Sequence, residues 1–168
     1  PTEAAPALVI VAVPPSAAPR VVAEALGTWA DAVVTDVASV KAPIAAAADA
    51  TGHGDRYVGS HPMAGRELSG GLAAQGDLFK ARPWVLCPNG ATPRSVDVVR
   101  SVADALQCDV VVMDAEAHDA AVARVSHAPQ VAASAVAAAL GSLSVEDVAL
   151  AGQGLRDVTR IAASEPAM

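Results

Sequence analysis

The sequence predicts an α/β fold: a parallel sheet covered by helices, followed by a stretch that is helical only. Three observations predict it. Short apolar runs rich in Val, Ile and Leu recur over the first two thirds of the chain. Segments with apolar residues at helical spacing separate them, with Pro or Gly at most junctions. After Asp114 the strand-like runs stop. Continuously apolar strands are those buried on both faces of a parallel sheet, and strand–helix alternation is how such sheets are connected.

Taken in order, Ala7 to Val13 reads as a buried strand closed by Pro14-Pro15. Ser16 is placed to cap a helix running to about Leu26 and stopping at Gly27. Ala32 to Thr35 is a short strand ending at Asp36, and Val40 to Ala50 a helix broken at Thr51-Gly52. Tyr57 to Ser60 is a third strand, leading into His61-Pro62-Met63-Ala64-Gly65 and a Gly-rich loop to Asp77. Pro83 to Cys87 and Asp109 to Met113 are two further strands, joined by a helix over Thr92 to Gln107. Beyond residue 114, Ala115 to Leu140 reads as one long helix, kinked or interrupted at Pro129. A helix begins at Val145 and breaks at Gly152-Gln153-Gly154, and Leu155 to Met168 is helical again. The expected domains are residues 1–114 and 115–168.

The chain of 168 residues is 53% hydrophobic but only 2% aromatic, so small aliphatic side chains must fill the core. Its net charge of -7, with Lys and Arg scattered singly, argues against a nucleic-acid or acidic-membrane partner. Cys87 and Cys108 lie in no metal-type cluster and read as free thiols of a reducing cytoplasm. No apolar run reaches the ~20 residues of a membrane span, and the first residues carry no signal-peptide pattern. No metal site is expected.

Polar residues gather where the strands end. In an open parallel sheet, ligands bind in the crevice beyond the carboxyl ends of the strands. Ser39 and Lys41 follow the second strand and His61 the third. An imidazole there can accept a proton near neutral pH. Asp36 and Ser39 could equally cap the next helix. His118 and His127, nine residues apart, do not share a helix face, which argues against a metal pair; His118 with Asp119 could be structural. Arg156 and Arg160 share a face and could grip a carboxylate, or simply face solvent with Asp157. No G-x-G-x-x-G occurs, and Gly152-Gln153-Gly154 does not follow a strand.

Several strings together resemble one family. They are Val11-Ala12-Val13-Pro14-Pro15, Thr35-Asp36-Val37-Ala38-Ser39-Val40-Lys41 and Gly59-Ser60-His61-Pro62-Met63-Ala64-Gly65. His118-Asp119, Val125-Ser126-His127-Ala128-Pro129 and Gly154-Leu155-Arg156-Asp157-Val158-Thr159-Arg160-Ile161-Ala162 follow in the same order. The family is that of prephenate and arogenate dehydrogenases. The resemblance implies a partial Rossmann-type sheet followed by the start of an all-α dimerisation domain, hence a homodimer. It also implies oxidation of prephenate with NAD or NADP, with release of CO2, to 4-hydroxyphenylpyruvate in tyrosine biosynthesis. The arogenate branch would give tyrosine directly.

The resemblance further implies roles. His61 matches the catalytic histidine and Ser39 the serine beside the reacting hydroxyl and the nicotinamide. Arg160 matches the arginine holding a substrate carboxylate, with Asp157 orienting it; His127 and Gly65 fall on the substrate side. Pro14, Ser39 and Lys41 fall on the nucleotide side. Leu155 stands where Phe is usual and Ala128 where Leu is usual, while Arg66 occupies a variable position. The family's glycine-rich turn has no counterpart here and its helical domain is longer, so the chain is expected to be a fragment that binds dinucleotide poorly and does not turn over by itself. A non-catalytic binding or dimerisation module is the competing reading; retention of His61, Ser39 and Arg160 together argues against it. A 3-hydroxy-acid dehydrogenase would need a Lys on the helix after the sheet, and Ala115 to Leu140 has none.

Overall fold

A computed structural model describes residues 5–64 and 74–163; Gly65 and Arg66, with most of the loop expected up to Asp77, lie outside the described residues. The described residues form two compact units, one ending at Ala120, the other running from Ala121 onward and including Ala74. The seam falls inside a helix, because Ala115 on its first turn is part of the core beneath the sheet.

The first unit holds five strands in the order β1 (Leu8–Val11), β2 (Val33–Asp36), β3 (Tyr57–Pro62), β4 (Pro83–Cys87) and β5 (Asp109–Val112). β1, β2 and β3 are parallel, with Leu8 opposite Val33 and Val34 opposite Tyr57. β4 runs antiparallel to β3, with His61 opposite Val85, and β5 is parallel to β4. The sheet is therefore mixed, which corrects the expectation that all strands are parallel. An apolar run carries no record of its direction. A parallel return would need a crossover of a dozen or more residues, usually a helix; the described residues just before β4 contain only turns.

Side-chain alternation along the strands builds two cores. Val34, Tyr57, Val85 and Cys87 pack with helices α1 (Ala18–Thr28) and α2 (Ala42–Ala50). Val33, Val58, Trp84 and Leu86 pack with α3 (Pro93–Ala105). Only β2, β3 and β4 are largely buried. Among the described residues β1 and β5 are the outer strands, with Ile10 and Val112 about half exposed, which differs from the reading of their apolar runs as buried on both faces.

Helix starts differ from expectation in an informative way. Ser16 does not cap α1; Ala17 and Ala18 donate their N–H groups to the Pro14 carbonyl, and Pro19 at the second helical position has no N–H to satisfy. At the other end, the Arg56 guanidinium donates to the carbonyls of Leu26 (2.9 Å), Trp29 (2.8 Å) and Ala32 (3.0 Å), closing α1 and the turn after it. Gly52, with φ of +75°, ends α2 in the left-handed conformation that glycine adopts without strain.

In the helical stretch, α4 (Ala115–Val122) continues through a widened π turn, Ala123–His127, into α5 (Ala128–Leu140). The interruption expected at Pro129 is thus found one turn earlier. Proline cannot donate to the carbonyl four residues back, here Val125, and its ring crowds it; the wide turn absorbs both effects. α6 (Val145–Ala149) opens with a reciprocal cap between Ser144 and Asp147. Gly152 stands immediately before α7 (Gln153–Arg160), while Gly154 lies inside it. Gln130 of α5 donates to the carbonyl of Ile161 at 3.1 Å. Among the described residues no helix is long and apolar enough to cross a membrane.

Replacing Arg56 by Ala removes three charge-assisted bonds across one helix end. Stability should fall by roughly 1–3 kcal/mol, read as an earlier midpoint in urea; an unchanged midpoint would mean that water serves these carbonyls equally well.

Candidate active site

The carboxyl ends of β1, β2 and β3 lie along one edge of the sheet, because these three neighbours are parallel. Pro14 is exposed after β1, Ser39 is half-buried after β2, and His61 is half-buried at the end of β3. His61 belongs to the strand itself rather than to a loop, and its pairing with Val85 of β4 fixes the backbone that carries it.

Beneath this edge lies a fully buried polar cluster. The Lys41 ammonium and the Asp36 carboxylate form an ion pair, each fully enclosed. Lys41 Nζ also donates to the Ser60 carbonyl at 2.7 Å. Asp36 accepts from the Tyr57 hydroxyl at 2.6 Å and from the Ala38 N–H at 2.9 Å. The Ser60 hydroxyl returns a bond to the Asp36 carbonyl at 2.6 Å. Burial pulls the Lys41 ammonium below its usual range, against the pull of Asp36. Burial pushes the Tyr57 phenol up, and the neighbouring Asp36 adds to it. Gly59 completes the packing: a Cβ there would stand 3.1 Å from the Tyr57 hydroxyl and 3.3 Å from Lys41 Cδ.

The start of α2 is capped from far along the chain. Asp119 of α4 accepts from Lys41 N (2.8 Å) and Ala42 N (2.9 Å), so neither Asp36 nor Ser39 caps this helix. Burial raises the Asp119 carboxyl, but the Ala42 N–H, the His118 ring and the Lys41 N–H together hold it below the usual carboxylate range. His118 is completely buried; its Nδ1 lies 2.8 Å from Asp119 Oδ1 and its Nε2 lies 2.9 Å from His61 Nδ1. The two rings meet edge to face, at 73° with centroids 5.1 Å apart. Sequence reading left His118 as a structural possibility and missed this link. The adjacent His-Asp pair was the available signal, but its partner lies 57 residues away.

The other expected site residues belong to the helical unit. His127 ends the π turn and is exposed, and Arg160 is exposed at the end of α7. Asp157 accepts from Gln153 Nε2 at 2.9 Å, and among the described residues it forms no ion pair with Arg160. Gln153 and Arg160 both lie one turn from Asp157, at four and three residues, and the bond forms to Gln153.

A dinucleotide would need a seat for its pyrophosphate, ordinarily open N–H groups at a helix N-terminus. At the helices that begin at this edge, several of the donors are already engaged or missing. Ala17 and Ala18 are bonded to Pro14, Lys41 and Ala42 to Asp119, and Pro19 and Pro43 lack the donor. Among the described residues no group of three or more His, Cys, Asp or Glu is arranged to hold a metal ion.

A sheet with polar groups at its parallel strand ends, followed by a helical unit, is the plan of a Rossmann-like nucleotide-binding domain joined to a second domain. Family models narrow this class. Residues 2–114 match the nucleotide-binding domain of prephenate dehydrogenase, and residues 114–168 its dimerization domain. The chain belongs to the prephenate dehydrogenase family. It is 41% identical over 135 residues to a Streptomyces niveus protein named Probable prephenate dehydrogenase NovF, covering 79% of this chain and 37% of that one. It is 36% identical over 141 residues to the prephenate dehydrogenase of Bacillus subtilis, covering 81% of this chain and 38% of the relative. The chain therefore spans a little over a third of the length of these relatives. Among solved structures, the A. aeolicus prephenate dehydrogenase in complex with hydroxyphenyl propionate and NAD+ superimposes with a TM-score of 0.85 at 30% identity, covering 96% of this chain and 58% of that one. Synechocystis arogenate dehydrogenase gives 0.76 at 30% identity, covering 95% and 59%.

The lowered Asp119 carboxyl makes a pH prediction. The unfolded chain holds a proton on this residue more readily than the folded one. The resulting stability is complete above the unfolded value near ~4 and is lost as pH falls through the lowered folded value. Urea midpoints of the native protein and Asp119→Ala should differ most at neutral pH and converge in acid. A gap that stays constant down to acid pH would mean the carboxylate charge does not carry the cap.

Proposed function

We propose that this chain carries the substrate-side chemistry of a prephenate dehydrogenase. The reaction is oxidative decarboxylation of prephenate to 4-hydroxyphenylpyruvate with NAD or NADP, in cytoplasmic tyrosine biosynthesis. The observation that carries this reading is the juxtaposition of the Ser39 strand end with His61 on adjacent parallel strands, in a chain whose family models are both those of prephenate dehydrogenase. The helical unit would serve a homodimer, in keeping with its match to a dimerization domain.

His61 would accept the proton of the ring hydroxyl while hydride departs from the carbon that bears it. Ser39 would hold the same hydroxyl in line. Loss of the ring carboxylate as CO2 returns the bonding electrons to the ring and makes it aromatic, which drives the step. Arg160 would bind a substrate carboxylate through its planar fork, with His127 and Gly65 on the same substrate side. The dinucleotide, when bound, supplies the hydride acceptor; Pro14 and Ser39 would border its reacting end. Because the Lys41 ammonium is enclosed and paired, its contribution to the nucleotide side would run through the loop it fixes.

Turnover of the intact gene product should be assayed with prephenate and arogenate, each with NAD+ and NADP+. Activity on arogenate alone would move the reading to the branch that yields tyrosine directly. His61→Asn should lower turnover by ~10²-fold or more, the scale of lost acid–base help; a near-normal rate removes His61 from the chemistry.

Arg160→Ala should act chiefly on KM, raising it by an amount equivalent to roughly 2–3 kcal/mol, the scale of a charge-assisted bond. An unchanged KM would sink the carboxylate assignment.

A further inference from the structure

The assignment of His61 leaves open which of its nitrogens carries the proton. This matters because a ring protonated on the wrong nitrogen presents a donor where the reaction needs an acceptor. With His118 taken as neutral, the bonding around it points to one choice. Asp119, ionised, can only accept, and it already accepts from Lys41 N and Ala42 N. Facing Asp119 Oδ1 at 2.8 Å, His118 Nδ1 must therefore carry hydrogen. In a neutral imidazole the other nitrogen then bears the lone pair, so His118 Nε2 accepts. His61 Nδ1, 2.9 Å away, must be its donor. The lone pair of His61 falls on Nε2.

We infer that His118 is a positioning residue: with Asp119 behind it, it holds His61 as the Nδ1–H tautomer and makes Nε2 the proton acceptor. The inference rests on the proposed role of His61 and deepens it. When Nε2 takes the hydroxyl proton, His61 becomes an imidazolium that keeps its Nδ1–H bonded to His118. His118 keeps its own proton bonded to Asp119. No proton travels along the row; Asp119 stabilises the new positive charge through the His118 ring between them. Burial serves the same end, since a fully enclosed His118 cannot exchange its partners for water. The arrangement is built from three separate elements, β3, the N-terminus of α2 and α4, so it is a product of the fold rather than of a local motif.

The test is nitrogen-15 NMR of the histidine rings, which reads each tautomer directly and needs no turnover. In the native protein near neutral pH, His61 should show a protonated Nδ1 and a bare Nε2. In His118→Phe, which removes the acceptor, it should shift towards the Nε2–H form. Asp119→Ala, which leaves the His118 ring in place, should produce a partial shift, and it serves if His118→Phe does not fold. A His61 that is protonated on Nε2 in the native protein, or that keeps its tautomer in folded His118→Phe, would overturn the inference. In the intact gene product, His118→Phe should lower kcat by ~10-fold or more with KM within about two-fold, and His118→Gln, which can still accept from His61 and donate to Asp119, should recover part of it. Equal losses in both variants would assign His118 to packing alone. If His61→Asn turned over normally, the proposed role of His61 would fail by itself, while the NMR result would still decide what His118 does.

Discussion

The enclosed Asp36–Lys41 pair is the constraint on which the rest of the first unit is built. Removing two charges from water costs several kcal/mol per ion, so such a pair contributes position more surely than stability. Its partners come from every side: Tyr57 and Ser60 on β3, Ala38 in the loop, and the N-terminus of α2 at Lys41 itself. With these bonds in place, β2 and β3 can pair in only one register and α2 can begin at only one residue. Loss of either charge would leave the other buried and uncompensated, which typically costs about 3–5 kcal/mol.

From this cluster the order passes outwards. Lys41 offers its backbone N–H to Asp119, and Asp119 in turn fixes the His118 ring. His118 meets His61 at the end of β3. One residue thus serves two networks, its side chain holding the strand ends and its backbone holding the carboxylate behind the histidines. The same economy removes donors from the edge of the sheet. Asp119 accepts from Lys41 and Ala42 at the start of α2, and the Pro14 carbonyl accepts from Ala17 and Ala18 at the start of α1, so these N–H groups are already engaged.

Much of this was legible in the residues. Apolar runs and Pro or Gly punctuation located all five strands and the helices between them within a few residues. The place of Ser39 after β2 and of His61 at the end of β3 followed from that alternation, although His61 lies within the strand rather than after it. The break in the long helix was visible in Pro129, although the wide turn that accommodates it precedes the proline. Other features were not legible. Ser16 looks like a cap and is not one, because backbone bonds from Ala17 and Ala18 to Pro14 replace it. Asp157 looks like a partner for Arg160 and instead takes Gln153 one turn away.

By itself the sequence determined what depends on neighbours along the chain: strand and helix by periodicity, breaks by Pro and Gly, and the family by the order of its motifs. Only the tertiary structure decided what depends on neighbours across space. It reversed β4 against β3, capped α2 with a carboxylate 78 residues from Lys41, and joined His61 to His118 across 57 residues. The physical reason is the range of the forces. Backbone propensity acts over a few residues, whereas a buried hydrogen bond takes whichever partner the packing brings within about 3 Å, and the spacing of residues along the chain does not record that.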